Sequence, residues 1–367
     1  MTAFDLDPAA ARGGELVCVC GPSPTSELAL GGEIWRLSTA FGLAILAQAL
    51  MLVALPVAGG YSAPHRALAN LPYALVFLGA ASAGVPASLL LDRFGRRAAF
   101  ALGASFGVAG GFVSAWAIVH RQFPVLCVGA AWLGIAQGFA LFYRHAAAIS
   151  HAGGARSALL VLLGGVGGGL LAPIAVHLCH AALGPFADAG LAALAAAACL
   201  LALPLLINLP HRFLKAQRQA AADAPGGFFW LATAAAATAW FAMTHAMTRA
   251  PSGLIACGLA PGVVGGVAAS HLILMYAPMA IASRWPQAVS APLALTVGVG
   301  VALFSIALSR VAPLEIMTSL FLAGFGWSLT QIGASRLLYD RPPPSKIALG
   351  FHDTLILAAA LLGVLAT

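Results

Sequence analysis

The sequence predicts an all-α membrane protein built of two helical bundles, and three observations predict it. First, 61% of the 367 residues are hydrophobic and only 8% are charged, where an ordinary soluble domain carries about 25% charged residues. No soluble fold has enough interior to hide that much apolar surface. This excludes a cytosolic enzyme, a secreted disulfide scaffold and a disordered chain. Second, the apolar residues fall into eleven stretches, each near the roughly 20 residues a helix needs to cross a bilayer. Third, the longest interior polar stretch, His211 to Gly227, divides them into six and five.

In chain order, an N-terminal tail over 1–35 carries five acidic residues and no long apolar core. No cleavable signal peptide is expected there. Spans are predicted near 36–58, 68–91, 98–119, 124–143, 157–181, 187–209, 228–250, 262–283, 291–309, 312–337 and 347–366. Backbone hydrogen bonding in lipid requires each to be helical. Pro251 is expected to kink the seventh span and let it run on to Cys257. The expected organisation is a tail over 1–35, a six-helix bundle over 36–210, a linker over 211–227 and a second bundle over 228–367. The linker is expected to lie in the cytoplasm and to join two halves of the kind that transporters carry.

Charge orients the spans. Loops after even-numbered spans hold twelve basic residues, among them Arg93, Arg96, Arg97, Arg144 and Lys346; loops after odd-numbered spans hold four. The basic loops and the N-terminus are therefore expected in the cytoplasm; a bacterial inner membrane and a monomeric state, which charge does not indicate, are expectations that go with the family resemblance below. The net charge of +7 is read as this orientation signal and not as affinity for nucleic acid. The six cysteines do not form a disulfide framework.

The segment after the second span reads Ser88-Leu-Leu-Leu-Asp92-Arg93-Phe-Gly95-Arg96-Arg97. It resembles the signature loop of the major facilitator superfamily, Gly-x-Leu-x-Asp-Arg-x-Gly-Arg-Arg/Lys, with Ser88 in place of the first glycine. The resemblance implies that fold, normally of twelve spans, and no enzymatic activity. It makes Asp92, Arg93, Gly95, Arg96 and Arg97 a gating loop on the cytoplasmic face.

A second pattern lies in spans seven and eight. Four of the 7 methionines fall between residues 243 and 279, with His245, Cys257 and His271. Met243 and Met247 stand four apart on one helix face, as do His271 and Met275; Met279 extends the second stripe, and His245 points away from the first. Taken alone, a methionine pair is more often core packing. Two such pairs on adjacent spans suit a soft ion such as Cu(I), which prefers thioether, thiolate and imidazole. A histidine within a span is costly and tends to face a cavity.

The pair Met243-x-x-x-Met247 and His271-x-x-x-Met275 resembles the motifs of the CcoA-type copper importers, a branch of that superfamily. The resemblance implies copper as transported substrate, with no prosthetic group. Met243, Met247, His271 and Met275 would be the ligands and Cys257 an entry ligand. The copper would supply assembly of a cbb-type haem–copper oxidase, with a cytoplasmic copper chaperone as partner. Two rival readings stand beside it: a carrier of another small solute, such as a flavin or drug, and a membrane assembly factor that transports nothing.

Other signals are bland. Gly103-Ala-Ser105-Phe-Gly107 matches a hydrolase elbow but lies inside a span with no strand before it. The run Gly164-Gly165-Val-Gly167-Gly168-Gly169 is expected to be a helix-packing face. Cys18 and Cys20 are two thiols in a tail, and His177, Cys179 and His180 sit near a membrane surface. Glu315 and Asp353 are the only carboxylates near a span interior, both expected close to an end. Any proton coupling would then fall to histidine.

Overall fold

The structure, a computed structural model, describes residues 24–151, 153–209, 226–259, 261–286, 288–308 and 312–367. The described residues are helical and contain no strand. Cys18, Cys20 and the expected linker, apart from its last two residues, lie outside them.

The first span is α1 (Pro24–Ser62). The tail expected to reach residue 35 is already helical from Pro24, and Glu33 is buried in it. The second and third spans form one run, α2 (Leu71–Val119), of 49 residues. Straight, it would measure about 74 Å at 1.5 Å per residue, far beyond a bilayer core of about 30 Å. It turns back at Gly95, where φ is 76° and ψ 172°. That backbone is open to glycine and strained for any side chain, which is why the signature loop places glycine there.

The fourth span is α3 (Phe123–Leu141) continued by α4 (Tyr143–Ser150), and the fifth is α5 (Gly154–Leu163) continued by α6 (Gly165–Leu183). The sixth is α7 (Ala187–Ile207) and the seventh α8 (Gly227–Ala256), which continues through Pro251 as expected. The eighth is α9 (Pro261–Tyr276) with α10 (Pro278–Arg284). The last three are α11 (Ala291–Leu308), α12 (Pro313–Tyr339) and α13 (Lys346–Leu365). Eight stretches among the described residues are long and apolar enough to cross a membrane, and two of these, 54 residues each, take in two expected spans apiece. The remaining expected span, α12, carries Glu315, Gln331 and Arg336.

Packing follows from the small residues. A Cβ on Gly164 would lie 1.9 Å from the carbonyl oxygen of Ser38, and one on Gly168 would lie 2.6 Å from that of Gly42, both on α1. On the other side, a Cβ on Gly165 would meet the Tyr276 ring at 2.5 Å, and one on Gly169 would meet Leu272 at 2.9 Å, both on α9. The glycine run thus lets the fifth span touch both halves, as small residues do where lipid supplies no hydrophobic drive. The halves also meet along α2 and α13, and where α5 packs on α10 and α12.

Candidate functional site

Met243 on α8, Met275 on α9 and Met279 on α10 are buried, while Met247 is half-buried. Trp240, one turn before Met243, and Tyr276, next to Met275, both pack edge-on against Trp327 of α12, each with centroids 5.4 Å away. The turns that carry the two methionines are therefore anchored on one indole ring.

His271 is fully buried on α9. Its Nδ1 lies 2.6 Å from the carbonyl oxygen of Leu320 on α12. A carbonyl only accepts, so Nδ1 carries the proton and Nε2 keeps its lone pair. Nε2 is buried and has no hydrogen-bond partner among the described residues. His245, also buried, stacks on Phe241 of its own helix at 6.1 Å. Cys257 is an exposed thiol at the C-cap of α8, followed by Gly258 in a left-handed turn with φ 82°. No three of His, Cys, Asp and Glu come together among the described residues to hold a metal ion. A metal here would rest on thioethers and on His271.

The expected gating residues divide. Asp92 pairs with Lys346 at the start of α13, across the two halves. Arg93 is exposed. Arg96 is buried and bonded to Glu33 and, at 3.1 Å, to Ser150 Oγ; Arg97 donates to the Leu209 carbonyl. Arg96 and Arg97 therefore tie the turn at Gly95 to the first half, and Asp92 alone of the five reaches the second.

Two sequence expectations are corrected next to this loop. Arg144, expected in a loop, is 2% exposed, and Asp353, expected near a span end, is wholly buried. They pair at 2.7 Å from α4 to α13. Arg144 also donates to Gln331 Oε1 at 2.7 Å, His145 Nε2 donates to Asp353 at 3.0 Å, and His145 Nδ1 bonds the Tyr339 hydroxyl. Thr233 Oγ1 and His352 Nδ1 lie 2.9 Å apart beside them. A buried carboxylate is present after all. Its partners come from the other half of the chain, so spacing could not reveal them. The one sequence signal was polar residues, such as Gln331, inside otherwise apolar spans.

A small cavity lies between the halves, lined by Phe41, Phe77, Trp240 and Tyr276 and by Gln48 and Gln137. Gln137 donates to the Ala44 carbonyl at 2.6 Å, while the buried Trp240 Nε1 has no acceptor among the described residues. The sequence reading missed this lining; Gln48 and Gln137 within spans were its only flag.

Comparison with known proteins agrees with this architecture. Residues 43–143 match the family described as sugar (and other) transporter. The riboflavin transporter RfnT of Brucella anthropi is 28% identical over 292 residues, covering 76% of this chain and 73% of that one. This relative is a riboflavin transporter and not a CcoA-type copper importer. Among solved structures, the proton:xylose symporter XylE, a major facilitator superfamily protein, superposes with a TM-score of 0.67 at 14% identity, over 92% of this chain and 87% of that one. The Escherichia coli fucose:proton symporter FucP gives 0.63 at 15% identity, over 91% and 89%. The human organic anion transporter MFSD10 gives 0.66 at 14%, over 92% of each. The fold is that of the major facilitator superfamily, in a multi-pass membrane protein.

Proposed function

We propose that this chain, a transporter with the major facilitator fold, imports copper by alternating access between its two helical halves. The observation that supports the reading is the bonding state of His271. Its Nδ1–H is spent on the Leu320 carbonyl, which leaves a buried Nε2 lone pair with no donor among the described residues. A metal-binding imidazole is commonly oriented in this way, with its other nitrogen donating to a backbone carbonyl. An unsatisfied buried acceptor is otherwise a cost with no return.

The donor set fits the cargo. Met243, Met247 and Met275 offer neutral thioethers, which suit Cu(I) and not Mg²⁺ or Ca²⁺. Neutral ligands hold the ion without an ion pair, so a carrier can release it. The exposed thiol of Cys257 at the end of α8 supports reading it as an entry ligand. The basic loops support a cytoplasmic Asp92 face. Copper delivered there would serve the assembly of a haem–copper oxidase.

A flavin cargo is the second reading, and the similarity to known proteins favours it over copper, because the curated relative is a riboflavin transporter. The cavity supplies its own support: four aromatic rings, two glutamines and an indole N–H with no acceptor among the described residues would suit a flat heteroaromatic ring with polar edges. Side-chain chemistry on α9 favours the metal; ancestry favours the flavin. Uptake of radioactive copper and of radioactive riboflavin, in cells with and without the gene, separates them. Gene-dependent copper accumulation with no riboflavin uptake is expected. The reverse result transfers the assignment to the flavin.

A further inference from the structure

We propose that the copper crosses as a Cu(I) ion already held by a small planar heteroaromatic chelator, with the metal gripped by the second half and the ring by the first. The inference rests on the copper reading and names the form in which the ion is carried.

Soft donors and cavity wall divide unequally between the halves. Met243, Met247, His271 and Met275 all belong to α8 and α9. The first half has nothing to match them at the cavity. Among the described residues that line it there is no methionine, cysteine or histidine. Met51, the one methionine described in the first half, is 2% exposed and is not part of the lining. What the first half does present there is chiefly two rings, Phe41 and Phe77, and two amides, Gln48 and Gln137.

This division bears on transport. A cargo shifts the halves toward one arrangement only by binding that arrangement better than the other. A bare ion gripped by α8 and α9 alone makes the same contacts whether the halves are together or apart, so it biases neither. A bare ion passed to the first half would exchange thioether and imidazole for amide oxygens, which suit harder cations than Cu(I). A chelated ion escapes both difficulties. Its ring reaches the first half, and its own soft donors stay on the metal throughout.

The two grips adjoin. Tyr276 follows Met275 in the chain and meets Phe41 of α1 edge-on across the halves, with centroids 5.8 Å apart. Trp240, one turn before Met243, lines the same cavity. Flat rings stack on such aromatic faces. The amides of Gln48 and Gln137, and the buried Trp240 Nε1 that has no acceptor among the described residues, serve heteroatoms at the edge of the ring. His271 Nε2, buried and without a partner among the described residues, completes with a thioether the coordination that the chelator leaves open. The cavity is small in this arrangement, so the ring enters when the halves part.

The test uses the purified full-length chain in lipid nanodiscs under reducing conditions. Its three probes are Cu(I) alone, the planar chelator neocuproine alone, and their one-to-one complex. Equilibrium dialysis should show copper and neocuproine retained together. The dissociation constant of the complex should lie about tenfold or more below that of either component alone, the usual size of a coupling between two binding partners. Phe41→Ala and Gln137→Leu should bring the constants for the complex and for Cu(I) alone close to equality. If the wild-type chain binds the complex no tighter than Cu(I), or keeps the metal and sheds the chelator, the proposal is overturned and import of the bare ion stands. Neocuproine that binds equally well without copper overturns it too, as do folded variants that both keep the wild-type ratio. A chain that binds copper in neither form overturns this proposal and the copper reading together. The wild-type constants decide by themselves where a variant fails to fold.

Discussion

Gly324 of α12 lies against His271 of α9: a Cβ added at Gly324 would stand 2.8 Å from His271 Nδ1 and 2.9 Å from its carbonyl oxygen. The imidazole is thus seated on a bare backbone, and the same helix supplies the Leu320 carbonyl that fixes its tautomer. Gly324→Ala should displace His271 without removing a ligand. Copper affinity should fall on the order of tenfold, as for loss of a group that orients a metal ligand. Binding of copper to the purified variant, beside a thermal melt to confirm folding, checks it. Unchanged affinity would mean that His271 is not a ligand.

The glycine run in the fifth span makes a stability prediction. Gly168→Ala must push a Cβ into the Gly42 carbonyl on α1, an overpacking that typically costs about 1–3 kcal/mol. Gly167 has nothing within 4 Å of its Cβ position. Gly167→Ala should therefore melt at or slightly above wild type. Melting temperatures in one detergent compare the two directly.

Asp92 and Lys346 form a bridge whose side chains are 44% and 21% exposed. Water screens such a pair to about 1 kcal/mol or less. Asp92→Asn should change the initial uptake rate by no more than about fivefold, and added salt should shrink even that difference. The exchange Asp92→Lys with Lys346→Asp should restore the wild-type rate. Initial rates of solute uptake at low and high salt check both.

Much of this fold is legible in the chain because lipid leaves the backbone so few options. Apolar length alone placed the spans, and Gly95 marked the reversal that divides α2. The glycine run announced a packing face, since glycine inside a span is otherwise a loss. The polar interior was not legible. Arg144 looked like a loop arginine because local hydropathy cannot show that α4 continues inward. Asp353 and Arg144 stand 209 positions apart, and only the meeting of two halves pairs them. Glu33 misled for the same reason: its partner Arg96 belongs to another helix. Of the proposed metal ligands, the spacing indicated helix faces. The free lone pair of His271 depends on a carbonyl from α12, which no pattern within spans seven and eight contains.

The central claim is the proposal that copper binds through His271 and the methionines of α8 and α9. The most direct test is the copper content of the purified full-length chain under reducing conditions, wild type beside Met243→Ala and His271→Ala, with riboflavin binding measured on the same samples. One copper ion per wild-type chain, lost in both variants, with no riboflavin bound, is the predicted result. A wild-type chain that holds no copper, or variants that hold as much as wild type, would contradict it.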